Sequence, residues 1–214
     1  MTIQVKGLRK KYFNKEAVKG VDFTIEPESI IGLLGRNGAG KSTVLNMIAR
    51  RIEKTSGDIT LDGVDLHKTP RAMHQVYLSS TENWFPKEYK FKDLLSIYKK
   101  TYPEFDSDFA EDLIKVFGVN VKERFSKAST GYQSIMKIIL ALCNPSEYIF
   151  MDEPVLGLDA NHRHIFNKKL LEAYARNPRT FVIATHLIEE VATILEKVIV
   201  IKDGVVTEEV MVEE

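Results

Sequence analysis

The sequence predicts an α/β fold: a largely parallel sheet, an antiparallel β portion near the N-terminus, and an inserted helical subdomain. Three observations carry this expectation. Short apolar runs such as Ile30-Ile31-Gly32-Leu33-Leu34 and Tyr148-Ile149-Phe150-Met151 read as strands buried on both faces. Strand and helix patterns alternate outside the middle of the chain, as they do in parallel sheets. Between Ser80 and Glu147 strand signals nearly vanish and helical spacing takes over.

The elements follow in order. Ile3, Val5 and Leu8 are spaced as the start of a strand, and Val21, Phe23 and Ile25 alternate with polar residues as a half-buried strand would. Pro27 ends that strand. The run 30–34 leads into a glycine-rich turn, and apolar residues at Val44, Leu45, Ile48 and Ile52 predict a helix over 41–52. Asp62-Gly63 marks the turn of a hairpin over 58–64. Val76-Tyr77-Leu78 reads as a strand. Helices are predicted over 91–102, 106–117 and 133–143, with Pro103 and Gly118 as breaks. A strand over 148–151, a helix over 161–176, a strand over 180–184 and a helix over 187–196 follow. Two last strands, 198–201 and 205–212, flank Asp203-Gly204. The expected organisation is one domain over 1–214, with a core of 1–80 and 147–214 and a helical subdomain of 81–146.

Bulk properties narrow the function. With 214 residues, 44% hydrophobic and 28% charged, the chain can bury a sizeable core. Lys+Arg and Asp+Glu both number 30, which argues against a nucleic-acid groove, because phosphate backbones recruit an excess of cations. The single cysteine, Cys143, lies in an apolar run, so a reducing compartment and a core role are the natural expectation. No run of about 18 apolar residues is present, and the N-terminal residues lack a signal-peptide pattern. The chain is expected to be cytoplasmic unless a partner holds it at a membrane.

Gly35-Arg36-Asn37-Gly38-Ala39-Gly40-Lys41-Ser42 matches G-x-x-x-x-G-K-[ST], after a predicted strand and at the opening of a predicted helix. Small residues let backbone N–H groups point at phosphates, and the helix N-terminus adds partial positive charge. Gly35, Asn37, Gly38, Ala39, Gly40, Lys41, Ser42 and Thr43 are therefore assigned to the nucleotide, with Lys41 on the β- and γ-phosphates and the Ser42 hydroxyl on magnesium. The apolar run ending in Asp152-Glu153 delivers two carboxylates to the end of a strand, where α/β sheets bind ligands. Asp152 is assigned to Mg2+ and Glu153 to general-base activation of water. ATP and Mg2+ are the ligands implied, and hydrolysis the reaction. The [NT]-K-x-D guanine motif and a D-x-x-G switch are both missing, which disfavours a GTPase.

At this point the chain resembles the ATP-binding-cassette (ABC) ATPases along nearly its whole length. Tyr12 stands where the family places an aromatic that stacks on adenine, with Phe13 as its rival and a sheet-packed aromatic as the alternative reading. Ala128-Ser129-Thr130-Gly131-Tyr132 is similar to the LSGGQ signature at Ser129 and Gly131, which the resemblance assigns to the γ-phosphate of a facing chain's nucleotide. Asp159, in Val155-Leu156-Gly157-Leu158-Asp159, corresponds to the family's D-loop. His186 corresponds to the histidine that hydrogen-bonds the γ-phosphate. His162 and His164 read as helix surface. The family's glutamine after the strand 76–78 is missing. By register Ser80 replaces it at the metal, with Glu82 as second candidate and Gln75 poorly placed, and a slow or specialised ATPase is the consequence expected.

The resemblance implies two subunits sandwiching two ATP molecules, with Lys41, Glu153 and His186 as the catalytic group of each. It further implies a homodimer or a heterodimer with a related ATPase, an integral membrane permease as partner, and a peripheral position on the cytoplasmic face of the membrane. No nucleic-acid partner is expected. The chain's length and the run Leu187-Ile188-Glu189-Glu190 resemble bacterial exporter subunits. A soluble ABC ATPase, for example in cluster assembly, and a nucleotide-binding regulatory subunit with little turnover are the alternatives.

Overall fold

The computed structural model describes residues 1–212. Its contacts divide the chain into two compact units: residues 1–78, 146–153 and 179–214, and residues 79–145 with 154–178. The helical unit is thus built from two stretches of chain, the second carrying 154–178.

The first unit holds two sheets. Strands β1 (Ile3–Tyr12), β2 (Lys15–Ile25), β4 (Ser56–Leu61) and β5 (Val64–Asp65) make an antiparallel sheet in the order β2-β1-β4-β5. Alternation buries Ile3 and Val5 from β1 and Val21, Phe23 and Ile25 from β2, and the register shift between Val5 and Leu8 lets Leu8 be buried as well. The β4–β5 turn is Asp62-Gly63, with φ of 48° and 80°, the left-handed pair that a two-residue hairpin requires.

The second sheet runs β10-β9-β3-β8-β7-β6, from β3 (Ile30–Leu34), β6 (Val76–Ser79), β7 (Tyr148–Asp152), β8 (Thr180–Thr185), β9 (Lys197–Lys202) and β10 (Val205–Met211). β3 pairs in parallel with β8 and β9, β7 pairs in parallel with β8, and β10 returns antiparallel to β9. Every residue of β3, β7 and β8 is buried, which is why their sequences run apolar without alternation. Helix α1 (Lys41–Ile48) buries Val44, Leu45, Met47 and Ile48 in the core these sheets share.

The predicted helix over 41–52 is shorter in the structure. Arg50 turns left-handed at φ 53°, and the Arg51 and Ile52 N–H groups both fold back onto the Asn46 carbonyl. Ile52 still packs on the core, so its apolar signal reflects burial and not helix. The helix expected over 187–196 is also absent. Two 3-10 turns, Ile188–Glu190 and Ala192–Ile194, stand in its place. Val191, Ile194 and Leu195 are buried, which supplied the helical spacing, but the Thr185 hydroxyl takes the Leu187 N–H and Val191 departs from helical geometry at φ −125°, ψ −8°. A four-residue helix, α2 (Pro70–Met73), has proline in its first turn and was not anticipated.

The helical unit contains α3 (Phe91–Thr101), α4 (Ser107–Val116), α5 (Thr130–Leu142) and α6 (Ala160–Arg176). Asp93 accepts the Lys90 N–H at the start of α3, and Asp106 caps α4 by accepting the Phe109 N–H at 2.9 Å. Phe91, Phe109 and Phe125 are almost wholly buried, each worth about 2–3 kcal/mol of transfer free energy. α5 starts three residues before the expected 133, because Ser129 caps it through the Tyr132 N–H.

Candidate functional site

The sheet order builds the site. β8 lies between β3 and β7, so the segments leaving all three strands emerge side by side. From β3 the chain enters the phosphate loop. A Cβ on Gly35 would lie 2.2 Å from the Ile201 carbonyl oxygen, so no larger residue fits where the loop crosses β9. Gly40 precedes α1 at φ 111°, opening the helix N-terminus.

Lys41 is only 5% exposed. Its ammonium donates to the loop's own carbonyls, Gly35 at 2.7 Å and Arg36 at 3.3 Å, and lies 3.4 Å from Glu153 Oε1. A buried cation so satisfied braces the loop against its own carbonyls.

β7 delivers Asp152 and Glu153 beside this loop. Ser42 Oγ donates to Asp152 Oδ1 at 3.0 Å. Asp152 is 5% exposed. Glu153 takes the left-handed conformation at φ 49°, and its N–H donates to the Ala184 carbonyl at 2.7 Å. That strained backbone turns the carboxylate toward the end of β8. There Oε1 meets His186 Nδ1 at 2.9 Å, and Oε2 accepts from the Thr185 hydroxyl at 2.9 Å and the His186 N–H at 3.4 Å. Burial pushes the Glu153 carboxyl up, but the bonds from His186 and Thr185, together with the Lys41 charge, outweigh it and hold it below the ordinary glutamate value. The group is therefore ionised at neutral pH.

A cavity of about 340 Å³ opens in front of the loop, lined among others by Tyr12, Lys15, Asn37, Thr43 and Glu153. Tyr12 is 41% exposed, with the Lys10 ammonium 4.8 Å from its ring centroid. Phe13, its rival, is 98% exposed at the tip of the β1–β2 hairpin and does not line the cavity. A second cavity, about 450 Å³, lies by Arg36, His186, Ile188 and Lys202.

The other residues singled out from the sequence, Gln75 excepted, belong to the helical unit. Ser129 and Thr130 are exposed at the start of α5. Gly131 lies against the loop before α6: a Cβ there would come within 2.3 Å of the Gly157 carbonyl oxygen. Ser134 Oγ donates to the Leu156 carbonyl at 3.0 Å. Asp159 caps α6, accepting the His162 N–H at 2.8 Å and facing His162 Nδ1 at 2.9 Å, and the backbone bond first of all lowers its pKa. Ser80 is buried, and its hydroxyl accepts the Glu82 N–H at 3.1 Å. Gln75, before β6, is engaged with Glu147.

The structure thus brings Lys41, Ser42, Asp152, Glu153 and His186 together on one unit. It adds Thr185 and Lys15, which sequence reading passed over. Thr185 had a usable signal: a hydroxyl residue closing an apolar strand directly before His186.

Magnesium is tested by the oxygens present. Among the described residues no three His, Cys, Asp or Glu converge as a metal cage. Ser42 Oγ and Asp152 Oδ1 offer two adjacent oxygens, which suits a hard cation whose other ligands are phosphate oxygens and water.

A phosphate loop fed by β3, with an acidic strand end beyond one intervening strand, defines a P-loop ATPase, here with a separate helical unit. Within that class the chain belongs to the ABC transporter family, whose sequence model matches residues 18–156. It is similar to the ABC transporter ATP-binding protein YtrB of Bacillus subtilis (strain 168), at 30% identity over 96% of this chain and 70% of that one. It is also similar to the ABC transporter ATP-binding protein NatA of the same organism, at 33% identity over 88% and 79%. The dimeric post-hydrolysis structure of the ATP-binding cassette MJ0796 bound to ADP and Pi shares the fold, with a TM-score of 0.83, 22% identity and coverage of 99% of both chains. The chain is an ATP-binding, ATP-hydrolysing subunit of a transporter. Among the described residues no helix is long and apolar enough to cross a membrane.

Proposed function

We propose that the two units work as one nucleotide-binding domain over 1–214. Its ATP is held by the phosphate loop and hydrolysed by water activated at Glu153. The reading is carried by the grouping of buried Lys41 with the partly buried Glu153 and His186, Lys41 lying 3.4 Å and His186 2.9 Å from one carboxylate oxygen. Backbone N–H groups of residues 35–42 and the N-terminus of α1 take the phosphates, and Tyr12 takes the base. Lys41 stays with the β- and γ-phosphates as charge develops. Glu153 accepts a proton from water as its oxygen attacks the γ-phosphorus and ADP departs. His186, oriented through Nδ1 by Glu153, turns its other nitrogen to the γ-phosphate. Ser42 and Asp152 would hold Mg2+, which would supply charge neutralisation on the phosphate oxygens. We also propose Ser80 as a water-mediated contributor there.

Coupling needs a second cassette and a membrane partner. Ser129 and Gly131, with the N-terminus of α5, grip the γ-phosphate of a facing chain, and Asp159 lies in the loop that meets it. ATP then closes the pair and ADP releases it. An integral membrane permease, to which the chain is peripheral on the cytoplasmic face, converts the cycle to transport. The proposed direction is export, on the resemblance of the 187–190 run to exporter cassettes.

The partner is tested by capture of tagged Glu153→Gln with Mg-ATP from detergent-solubilised native cells. An integral membrane protein in near-equal amount is expected, and soluble partners alone would contradict the reading. The direction is tested in proteoliposomes of that complex, where ATP-driven uptake toward the cassette side would overturn export.

A further inference from the structure

Lys137 lies midway along α5, between buried Met136 and Ile138. Its ammonium donates to three consecutive backbone carbonyls, Ser80 at 2.7 Å, Thr81 at 2.9 Å and Glu82 at 3.1 Å. It also lies 5.9 Å from the centroid of the buried Phe125 ring. Three carbonyls match its three N–H groups, and the aromatic face adds a cation-favouring wall. Carbonyls converging in this way are what a bare monovalent cation would occupy. The turn they belong to is closed from within, since Ser80 Oγ accepts the Glu82 N–H at 3.1 Å.

The same helix is tied at its first turns. Gly131 abuts the Gly157 carbonyl, and Ser134 donates to that of Leu156. Helix α5 is therefore fixed by backbone carbonyls at two places along its length: the loop before α6, and the turn 80–82. Its N-terminus carries Ser129 and Gly131.

We infer that Lys137 is a tethered cation and a positioning residue for hydrolysis, locking the 80–82 turn to the helix that presents Ser129 and Gly131. This rests on the reading of those two residues as γ-phosphate ligands. The proposed action of Lys137 is on α5 and the 80–82 turn, both within the helical unit. What it governs is how well α5 holds the signature during turnover, where small misplacements are expensive in rate.

The test is steady-state ATP hydrolysis by the full chain and by Lys137→Met. Rates are compared in ammonium, potassium or choline chloride at equal ionic strength. Expected is a fall of about tenfold or more in kcat with KM for ATP unchanged. Ammonium or potassium, but not choline, should restore part of the rate by occupying the three carbonyls. An unchanged kcat overturns the inference, and so does a loss that no cation relieves. Where Lys137→Met fails to fold, Lys137→Gln, which keeps hydrogen-bond donors without the charge, is read by the same criteria. Ser129→Ala is measured alongside. A loss there with none in Lys137→Met overturns this inference alone, whereas an unchanged kcat in Ser129→Ala overturns the phosphate reading beneath it.

Discussion

The Lys41 ammonium lies 3.4 Å from Glu153 Oε1 and 2.7 Å from the Gly35 carbonyl, so one buried cation serves both the phosphate loop and the carboxylate that ends β7. Lys41 offsets the cost of keeping Glu153 ionised and half-buried. On the proposed function, the γ-phosphate would compete for the same charge and leave the carboxylate to His186, Thr185 and the attacking water.

This pairing sets a pH dependence. The folded pKa of Glu153 lies below its ordinary value of 4.5. The stabilisation it contributes is therefore fully present above 4.5 and is lost as pH falls through the lower folded value. Chemical denaturation of wild type and Glu153→Gln, from neutral pH downward, should show a stability gap that narrows only below that point. A gap independent of pH would contradict the electrostatic account.

Thr185 should matter to rate more than to binding. Its hydroxyl donates to Glu153 Oε2 and accepts the Leu187 N–H, tying the carboxylate to the segment that carries His186. Thr185→Val keeps the shape and removes both bonds. Hydrogen bonds to a charged group are worth about 1.5–3 kcal/mol, so kcat should fall about tenfold or more with KM for ATP little changed. The paired shift in a Michaelis curve is the check.

Tyr12 and Phe13 are separable. Tyr12→Ala should raise KM for ATP by about ten- to a hundredfold, the worth of one stacked base. Phe13→Ala should leave KM unchanged, because Phe13 is 98% exposed and does not line the cavity. The reverse pattern would move the base to the hairpin tip.

Gly131→Ala should cost about 1–3 kcal/mol of stability, since its Cβ would come within 2.3 Å of the Gly157 carbonyl oxygen. Turnover should fall with it, while binding of ATP to the monomer stays intact because the phosphate loop is untouched. Calorimetric melting and nucleotide titration separate the two effects.

Much of this was legible in the residues, for identifiable reasons. The loop 35–42 and the pair Asp152-Glu153 are contiguous, so their chemistry needs no tertiary knowledge. The runs 30–34 and 148–151 announce burial by having no polar face. What escaped depends on contacts distant in sequence. Lys137 and the carbonyls of 80–82 are more than fifty residues apart, and nothing local marks that lysine as other than helix surface. Gly131 was read as a phosphate donor, yet its lack of a Cβ is demanded by Gly157 as well. The segment 187–196 misled because burial every third or fourth residue suits two 3-10 turns as well as one helix.

If the γ-phosphate joins two cassettes, the association state of Glu153→Gln must follow the bound nucleotide. Light scattering on the purified variant should give a monomer with ADP and a dimer with saturating Mg-ATP, the dimer persisting because hydrolysis is slowed by about a hundredfold or more. A variant that binds ATP and stays monomeric would contradict the account.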